Sequence, residues 1–321
     1  MNIVVLDGHT LNPGDNPWDE LAGLGKLTVH ARTAPSEVVE RAREADILLT
    51  NKTRLPAEVI GNLPRLKFVA VLATGYDVVD VAACAGRGIP VSNVPGYGTA
   101  SVAQHVFALV LELANEAGSH DAAVRAGEWR GPDWCFWKRP VLELSGRTMG
   151  IVGLGSIGRA VAHLAHAFGM RVAAHSRSRR EPLPYPGFAW LDLPELFAES
   201  DVISLHCPQT RDNAGFVDKS LIARMKPEAM LINTARGGLV NEADLAAALN
   251  AGAIRGAGLD VVSVEPIRPD NPLLTARNCV ITPHMAWASR EARKRLMDAS
   301  AGNVRAFLAG RPVNVVDAVK A

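Results

Sequence analysis

The sequence predicts an α/β protein built on two doubly wound parallel sheets. Three observations predict it. Short apolar runs alternate with helical patterns up to Ser92, and the alternation resumes from Met149 to Ile281. The second run opens on Met149–Ala162, MGIVGLGSIGRAVA, where Gly153, Gly155 and Gly158 hold the G-x-G-x-x-G spacing between a strand and a helix. The chain has 321 residues, 48% of them hydrophobic, which exceeds one typical domain and suffices for two cores.

In the first run, Ile3–Leu6 is an apolar strand ending in Asp7-Gly8, and Leu27–His30 is a second. Ser36 is placed to cap a helix through Arg43, with Glu37 and Glu40 in its first turns. Ile47–Leu49 is a third strand, Pro56–Ile60 starts a short helix, and Leu66–Leu72 is a fourth strand. Ala73–Asp77 follows directly, at the strand end where open α/β sheets bind ligands. Val78–Arg87 is helical and Ile89–Ser92 is a fifth strand.

After a turn-rich link, a long helix starts at Thr99, with Val102, Val106, Leu109, Val110, Leu113 and Ala117 at helical spacing. Residues 128–140 form a proline-bounded loop with Trp129, Trp134 and Trp137, which suits an interface or pocket wall as well as a core seal. In the second run, strands are predicted at 149–152, 171–175, 202–205, 229–232, 256–260 and 279–281. Helices fall at 192–199, 218–225 and 241–250, besides the one that follows the glycines. Arg290–Leu308 is a closing helix, expected to pack back on the first domain because it follows the completed second sheet.

A net charge of +1 gives no reason to expect nucleic acid or an anionic membrane as partner. No apolar span is long enough for a membrane helix, and the N-terminus begins at once with a strand in place of a signal peptide. Cys84, Cys135, Cys207 and Cys279 form no C-x-x-C pair, which fits reduced thiols and a cytoplasmic location. No metal-ligand constellation appears; His163 and His166 share a helix without a third ligand.

The glycine stretch points to a dinucleotide. Its turn brings a pyrophosphate close to the backbone, and the N–H groups and dipole at the helix N-terminus favour the charge. Three further residues sit just after predicted strands. Arg236, in NTARGG, has the planar fork that suits a carboxylate, although a surface arginine is an equal reading alone. Glu265, in GLDVVSVEP, is a carboxylate in an apolar run. His284, in ITPHM, is either a structural histidine or, with a carboxylate partner, a general acid/base.

The glycine motif, NTARGGLVNEADL, GLDVVSVEP and ITPH occur in an order that resembles the D-isomer-specific 2-hydroxyacid dehydrogenase family across nearly the whole chain. VLDGHTLNPGDNPWDEL and VPGYGTASVAQHVFALVLEL resemble its glycerate dehydrogenase (hydroxypyruvate reductase) branch. The resemblance implies two Rossmann-like domains with a cleft between them. Residues 1–98 plus 288–321 would be a discontinuous, flavodoxin-like substrate domain, and 99–287 the dinucleotide-binding domain. It implies a homodimer, with the Thr99 helix and the aromatic loop in the contact.

By the same resemblance, Arg236 binds the substrate carboxylate and keto oxygen. His284 gives or takes the proton, and Glu265 holds the imidazole and favours its charged form. Thr74 and Gly75 hold the carboxylate through backbone N–H groups. Ser156 and Ile157 contact the pyrophosphate beside Gly153, Gly155 and Gly158. Cys207, Pro208, Asn213, Thr234, Ala235, Arg236, Asp260 and His284 line the adenosine or nicotinamide, and Trp134 and Trp137 reach the partner's site. The implied reaction is NAD(P)H-dependent reduction of a small 2-keto acid, hydroxypyruvate to D-glycerate or glyoxylate to glycolate.

One departure is informative. An NAD site usually carries an acid about twenty residues past the glycines, at the end of the second strand. Here Ser176 stands there, followed by Arg177, Ser178, Arg179 and Arg180. Nothing acidic repels a 2′-phosphate, so NADPH is the expected cofactor and NADH the other candidate, with Ser176, Arg177 and Arg179 as contacts. Gln104 stands where many relatives of the resembled family carry Glu, and the glycerate dehydrogenase branch tolerates Gln there. Phosphoglycerate dehydrogenase is a weaker reading, since no regulatory domain follows Ala321 and no phosphate cluster surrounds Thr74. A cofactor-sensing protein of the corepressor type is the non-enzymatic alternative; the lack of partner-binding tails argues against it.

Overall fold

The computed structural model describes residues 1–179 and 181–316, so Arg180 of the basic cluster and residues 317–321 lie outside the described residues. The chain divides into two compact units: Met1–Gly98 with the segment from Trp287 onward, and Thr99–Ala286.

The first unit holds strands β1 (Asn2–Val5), β2 (Lys26–Val29), β3 (Ile47–Thr50), β4 (Phe68–Val71) and β5 (Val91–Ser92). They pair in parallel in the order β2-β1-β3-β4-β5. The order reverses between β1 and β3, the switch point at which such sheets open a crevice. Helices α1 (Asp19–Ala22), α2 (Val38–Ala42), α3 (Ala57–Gly61) and α4 (Val81–Gly86) connect them. Side chains alternate between faces along a strand. Ile3, Val5, Ile47, Leu49 and Phe68 therefore pack on one face with Ala292, Leu296, Ala301 and Val304 of the closing helix Arg290–Leu308. Val4, Leu48 and Val69 pack on the other with Val38, Ile60 and Cys84. With both faces covered, β3 and β4 are buried at every position, which explains their unbroken apolar sequence.

Ser36 does not cap a helix. It lies in a 3-10 turn, Pro35–Glu37, and α2 starts only at Val38. Pro35 pre-sets the turn, and the Ala34 N–H donates to Glu37 Oε2 at 2.9 Å, so the acid reaching back does the capping. Helix α4 starts at Val81, later than the expected Val78, because Asp80 accepts the Ala83 N–H at 2.9 Å and caps it there.

The second unit holds β6 (Thr148–Val152), β7 (Arg171–His175), β8 (Ala189–Trp190), β9 (Val202–Leu205), β10 (Met230–Asn233), β11 (Gly256–Leu259) and β12 (Cys279–Ile281). The parallel order is β12-β11-β10-β9-β6-β7-β8, reversing between β6 and β9. The edge strand β8 was not expected, because two residues carry no periodic signal. Helices α5 (Thr99–Asn115), α6 (Ala117–Arg125), α7 (Ser156–Ala167), α8 (Leu193–Glu199), α9 (Lys219–Ile222) and α10 (Glu242–Asn250) complete it. The helix from Thr99 ends before Ala117 because Glu116 is left-handed, with φ 50°. Its last carbonyls, Leu113 and Ala114, accept from the buried Arg255 guanidinium at 3.0 and 3.4 Å. The apolar stripe of α5 packs with Val161 and Ala165 of α7 and with β10 and β11.

In the loop 128–140, Trp134 is 92% exposed and Trp129 and Trp137 are exposed with it, so the aromatic cluster is not a core seal of this chain. Among the described residues, no helix is long and apolar enough to cross a membrane, and no group of acidic, histidine or cysteine side chains is arranged to hold a metal. Burial pushes the Cys84 thiol up to about 11 and the Cys279 thiol to about 12, so both are packing groups.

Candidate active site

The sequence-predicted residues of the second unit lie beyond the carboxyl ends of β6, β7, β9, β10, β11 and β12. At β6, Gly153 has φ 99° and Gly155 precedes the first turn of α7, which contains Ser156, Ile157 and Gly158. A β-carbon on Gly158 would be driven into the Gly153 carbonyl oxygen, so the turn needs glycine for helix and strand to meet. A β-carbon on Gly155 would meet nothing, because that side of the turn is open. No side chain caps α7, which leaves its first N–H groups to a ligand.

At β7, Ser176 is half-buried and Arg177 exposed. Burial pushes the Cys207 thiol up. Arg179 is exposed and paired with Asp192 at 3.2 Å. Arg159, which the sequence reading did not single out, donates to the Glu181 carbonyl at 3.3 Å and so ties the basic loop to α7. After Pro208, the Asn213 amide is engaged by its own loop: it accepts the Thr210 N–H at 2.6 Å and donates to the Pro208 carbonyl at 2.9 Å.

At β10, a residue missed in the sequence shapes the site. The buried Asn233 side chain accepts the Ala235 N–H at 3.0 Å and donates to the Arg236 carbonyl at 2.9 Å. It thereby folds Thr234–Arg236 into a fixed arc. A buried amide at a strand end is a signal only once burial is known. The Arg236 backbone is extended, and its Nη1 donates to the Ala235 carbonyl at 2.8 Å. Gly237 follows because a β-carbon there would overlap the Val262 backbone. That close approach brings the Arg236 arc onto the loop after β11 that carries Glu265. Glu242 steadies the same loop, accepting the Ser263 N–H at 2.6 Å and the Asn271 amide at 2.9 Å.

The structure joins Glu265 to His284. Glu265 Oε2 lies 2.6 Å from His284 Nδ1, and the two side chains are 34% and 22% exposed. A carboxylate only accepts, so Nδ1 carries a proton and Nε2 is the ring nitrogen left for chemistry. Another histidine just past a strand, His206, is not a rival. Burial pushes its pKa down to about 3, and Ser204 Oγ lies 2.8 Å from its Nε2. It stays neutral where the enzyme works and serves the fold.

Thr74 and Gly75 lie in the first unit, on the loop after β4. Thr74 Oγ1 donates to the Val94 carbonyl at 2.8 Å, and Asn93 donates to the Thr74 carbonyl at 2.7 Å. On the same sheet edge, Asp7 accepts the N–H groups of Asn51, Lys52 and Thr53 at 2.8, 2.6 and 2.7 Å. The sequence showed Asp7 only as the end of a strand.

The sequence model of the D-isomer specific 2-hydroxyacid dehydrogenase NAD binding domain matches residues 107–286. The chain belongs to this family. It is similar to the hydroxypyruvate reductase of Blautia hydrogenotrophica, 50% identical over 321 residues that span 99% of this chain and 100% of the relative. It is also similar to the glycerate dehydrogenase of Methylorubrum extorquens, 42% identical over 287 residues, 88% of this chain and 89% of that one. Among solved structures, the dehydrogenase resembles the NADPH-dependent glyoxylate/hydroxypyruvate reductase of Sinorhizobium meliloti in complex with NADP and malonate. The TM-score there is 0.85 at 32% identity, covering 99% of this chain and 97% of that one. An acyclic imino acid reductase in complex with NADPH and D-Arg gives a TM-score of 0.87 at 34% identity, covering 99% and 100%.

The site of this dehydrogenase fits a nicotinamide dinucleotide. The open face at Gly155 and the uncapped α7 suit a pyrophosphate. The Thr234 hydroxyl is buried with no hydrogen-bond partner among the described residues, which leaves it open to a ligand's polar atom. The Asp260 carboxylate, expected at the cofactor, is 1% exposed and accepts instead from Thr282, Met285 and Ala286.

Proposed function

We propose that this dehydrogenase reduces hydroxypyruvate to D-glycerate, with glyoxylate to glycolate as a second reaction, and that it prefers NADPH. The observation that carries the chemistry is the Glu265–His284 contact at 2.6 Å. It fixes the imidazole tautomer and orients the ring, so Nε2 delivers a proton to the keto oxygen in reduction and accepts it in oxidation. Arg236, on an arc shaped by Asn233, binds the substrate carboxylate with its planar fork and draws charge from the keto oxygen. In the first unit, the backbone N–H groups of Thr74 and Gly75 are substrate contacts in this proposal. The bound nicotinamide supplies the hydride. In this reading residues 1–98 with 288–321 carry the substrate and 99–287 the dinucleotide, and the names of the similar reductases support the substrate class.

The preference for NADPH rests on Ser176 in the acidic position and on the exposed Arg177 beside it. Arg179 contributes second, because Asp192 already pairs with it. The test is the ratio of catalytic efficiencies with the two cofactors over a panel of keto acids. Equal or better use of NADH sinks the preference, and Arg177→Ala should weaken NADPH selectively. No turnover with any keto acid, together with tight cofactor binding, would leave a sensor. A homodimer is part of the proposal. Trp134 and Trp137 are exposed, and Ala103, Phe107, Leu111, Leu164 and Phe168 line an apolar groove between α5 and α7. Light scattering during size exclusion reads the mass directly, and a monomer refutes this.

A further inference from the structure

His284 is held in an uncommon backbone conformation, with φ 53°, in the left-handed region that residues bearing a β-carbon rarely adopt. Such a residue persists only where its surroundings over-determine it. Asp260 supplies most of that constraint. Its carbonyl accepts the His284 N–H at 2.8 Å. Its Oδ1 accepts the Met285 N–H at 2.9 Å and its Oδ2 the Ala286 N–H at 2.8 Å. The Thr282 hydroxyl donates to Oδ1 at 2.6 Å. A hydroxyl has one proton, and this one goes to Asp260. The 2.9 Å contact between Thr282 Oγ1 and His105 Nε2 therefore has the histidine donating. The same Nε2 lies 3.5 Å from Asp260 Oδ1.

We infer that His105 is a positioning residue for His284, acting from helix α5 through Thr282 and Asp260. The inference rests on the proton-transfer role proposed for His284. The relay is nearly dry: the side chains of His105 and Asp260 are 16% and 1% exposed, so water does not readily replace a lost donor. Its origin is rigid, because α5 is a 17-residue helix packed on α7, β10 and β11. Without the imidazole, the Thr282 hydroxyl loses the donor that orients it toward Asp260. The carboxylate then holds the turn around His284 less firmly. A catalytic group displaced by a fraction of an ångström loses rate while the distant dinucleotide contacts remain.

The test compares the wild type, His105→Ala, His105→Gln and His284→Ala. The glutamine variant keeps an N–H donor near the position of Nε2. Hydrogen–deuterium exchange of the 283–287 segment in the cofactor-free enzyme reads the clamp independently of turnover. His105→Ala should speed exchange there about fivefold, the loss of one hydrogen bond, and lower kcat on the order of 100-fold. The dissociation constant for NADPH and the KM for hydroxypyruvate should stay within about twofold of wild type. His105→Gln should restore both exchange and kcat. Wild-type exchange and kcat in His105→Ala would overturn the inference, as would losses that His105→Gln does not rescue. If His284→Ala is as active as wild type, the proton-transfer reading fails instead, and the exchange data still decide whether His105 holds the turn.

Discussion

His284 and His206 show why residue chemistry has to be settled by surroundings. Both sit just past an apolar strand. Both are half-buried; His284 faces a carboxylate, whereas His206 faces the Ser204 hydroxyl and desolvation pushes its pKa down. We expect His284→Ala to abolish turnover while the dissociation constant for cofactor, measured by fluorescence, stays near wild type. Glu265→Gln tests the partner. The carboxylate only accepts and so fixes the proton on Nδ1, whereas an amide can present a donor there instead. Glu265→Gln should therefore lower kcat for reduction on the order of 100-fold, and an unchanged kcat would show that Glu265 only packs. The identities of Arg236, Glu265 and His284 were legible from their motifs. The support from Asn233 and His105 was not, because a polar side chain declares its role only when burial removes water as its alternative partner.

At the scale of elements, the glycine turn makes a prediction that separates folding from binding. Gly158→Ala forces a β-carbon into the Gly153 carbonyl and should lower Tm and weaken cofactor binding together. Gly155→Ala meets no protein atom and should leave Tm unchanged while weakening cofactor binding, because the new methyl projects into the open side of the turn. Equal losses of Tm in the two variants would refute the assignment. Arg255 is the second case. Its guanidinium donates to the carbonyls of Leu113, Ala114 and Pro140, ending α5 and starting the run into β6. Arg255→Met strands the buried Leu113 carbonyl and removes one of two donors to Ala114, whose carbonyl keeps the Leu142 N–H at 3.1 Å, and should cost about 2 kcal/mol in chemical denaturation. Strands with long apolar runs were legible within a residue or two. The break at Glu116, the cap at Ala34 and the edge strand β8 were not, since each depends on hydrogen bonds that periodicity does not encode.

The described chain forms two compact units, and each should respond to its own ligands. NADP added at 100 times its dissociation constant should stabilise Thr99–Ala286 by about 2.7 kcal/mol, read as protection of that unit in hydrogen exchange. Equal protection of the first unit would contradict the assignment of the dinucleotide to the second. Acid should act on the second unit through His206. In the folded state its pKa is about 3, against an ordinary value of 6.5, so the unfolded chain binds the proton first. The stability this residue contributes is complete above about pH 6.5 and is lost as pH falls toward about 3. His206→Gln should flatten that limb of the stability–pH curve, and an unchanged slope would exclude His206 as its origin.

By itself the sequence determined the alternation of strands and helices, the glycine turn and the family, and it marked three residues after strand ends as candidates for the chemistry. These are local patterns, set by side-chain period, glycine spacing and motif order, and they survive without knowledge of the fold. Tertiary structure decided the rest. It showed that Glu265 reaches His284, that Gly237 lets two loops touch, that Asp260 is buried against the chain and that His105 lies on the same relay. The physical reason is common to all four. Each depends on which groups distant in sequence share a water-poor space, and a hydrogen bond or a close contact acquires its weight only there.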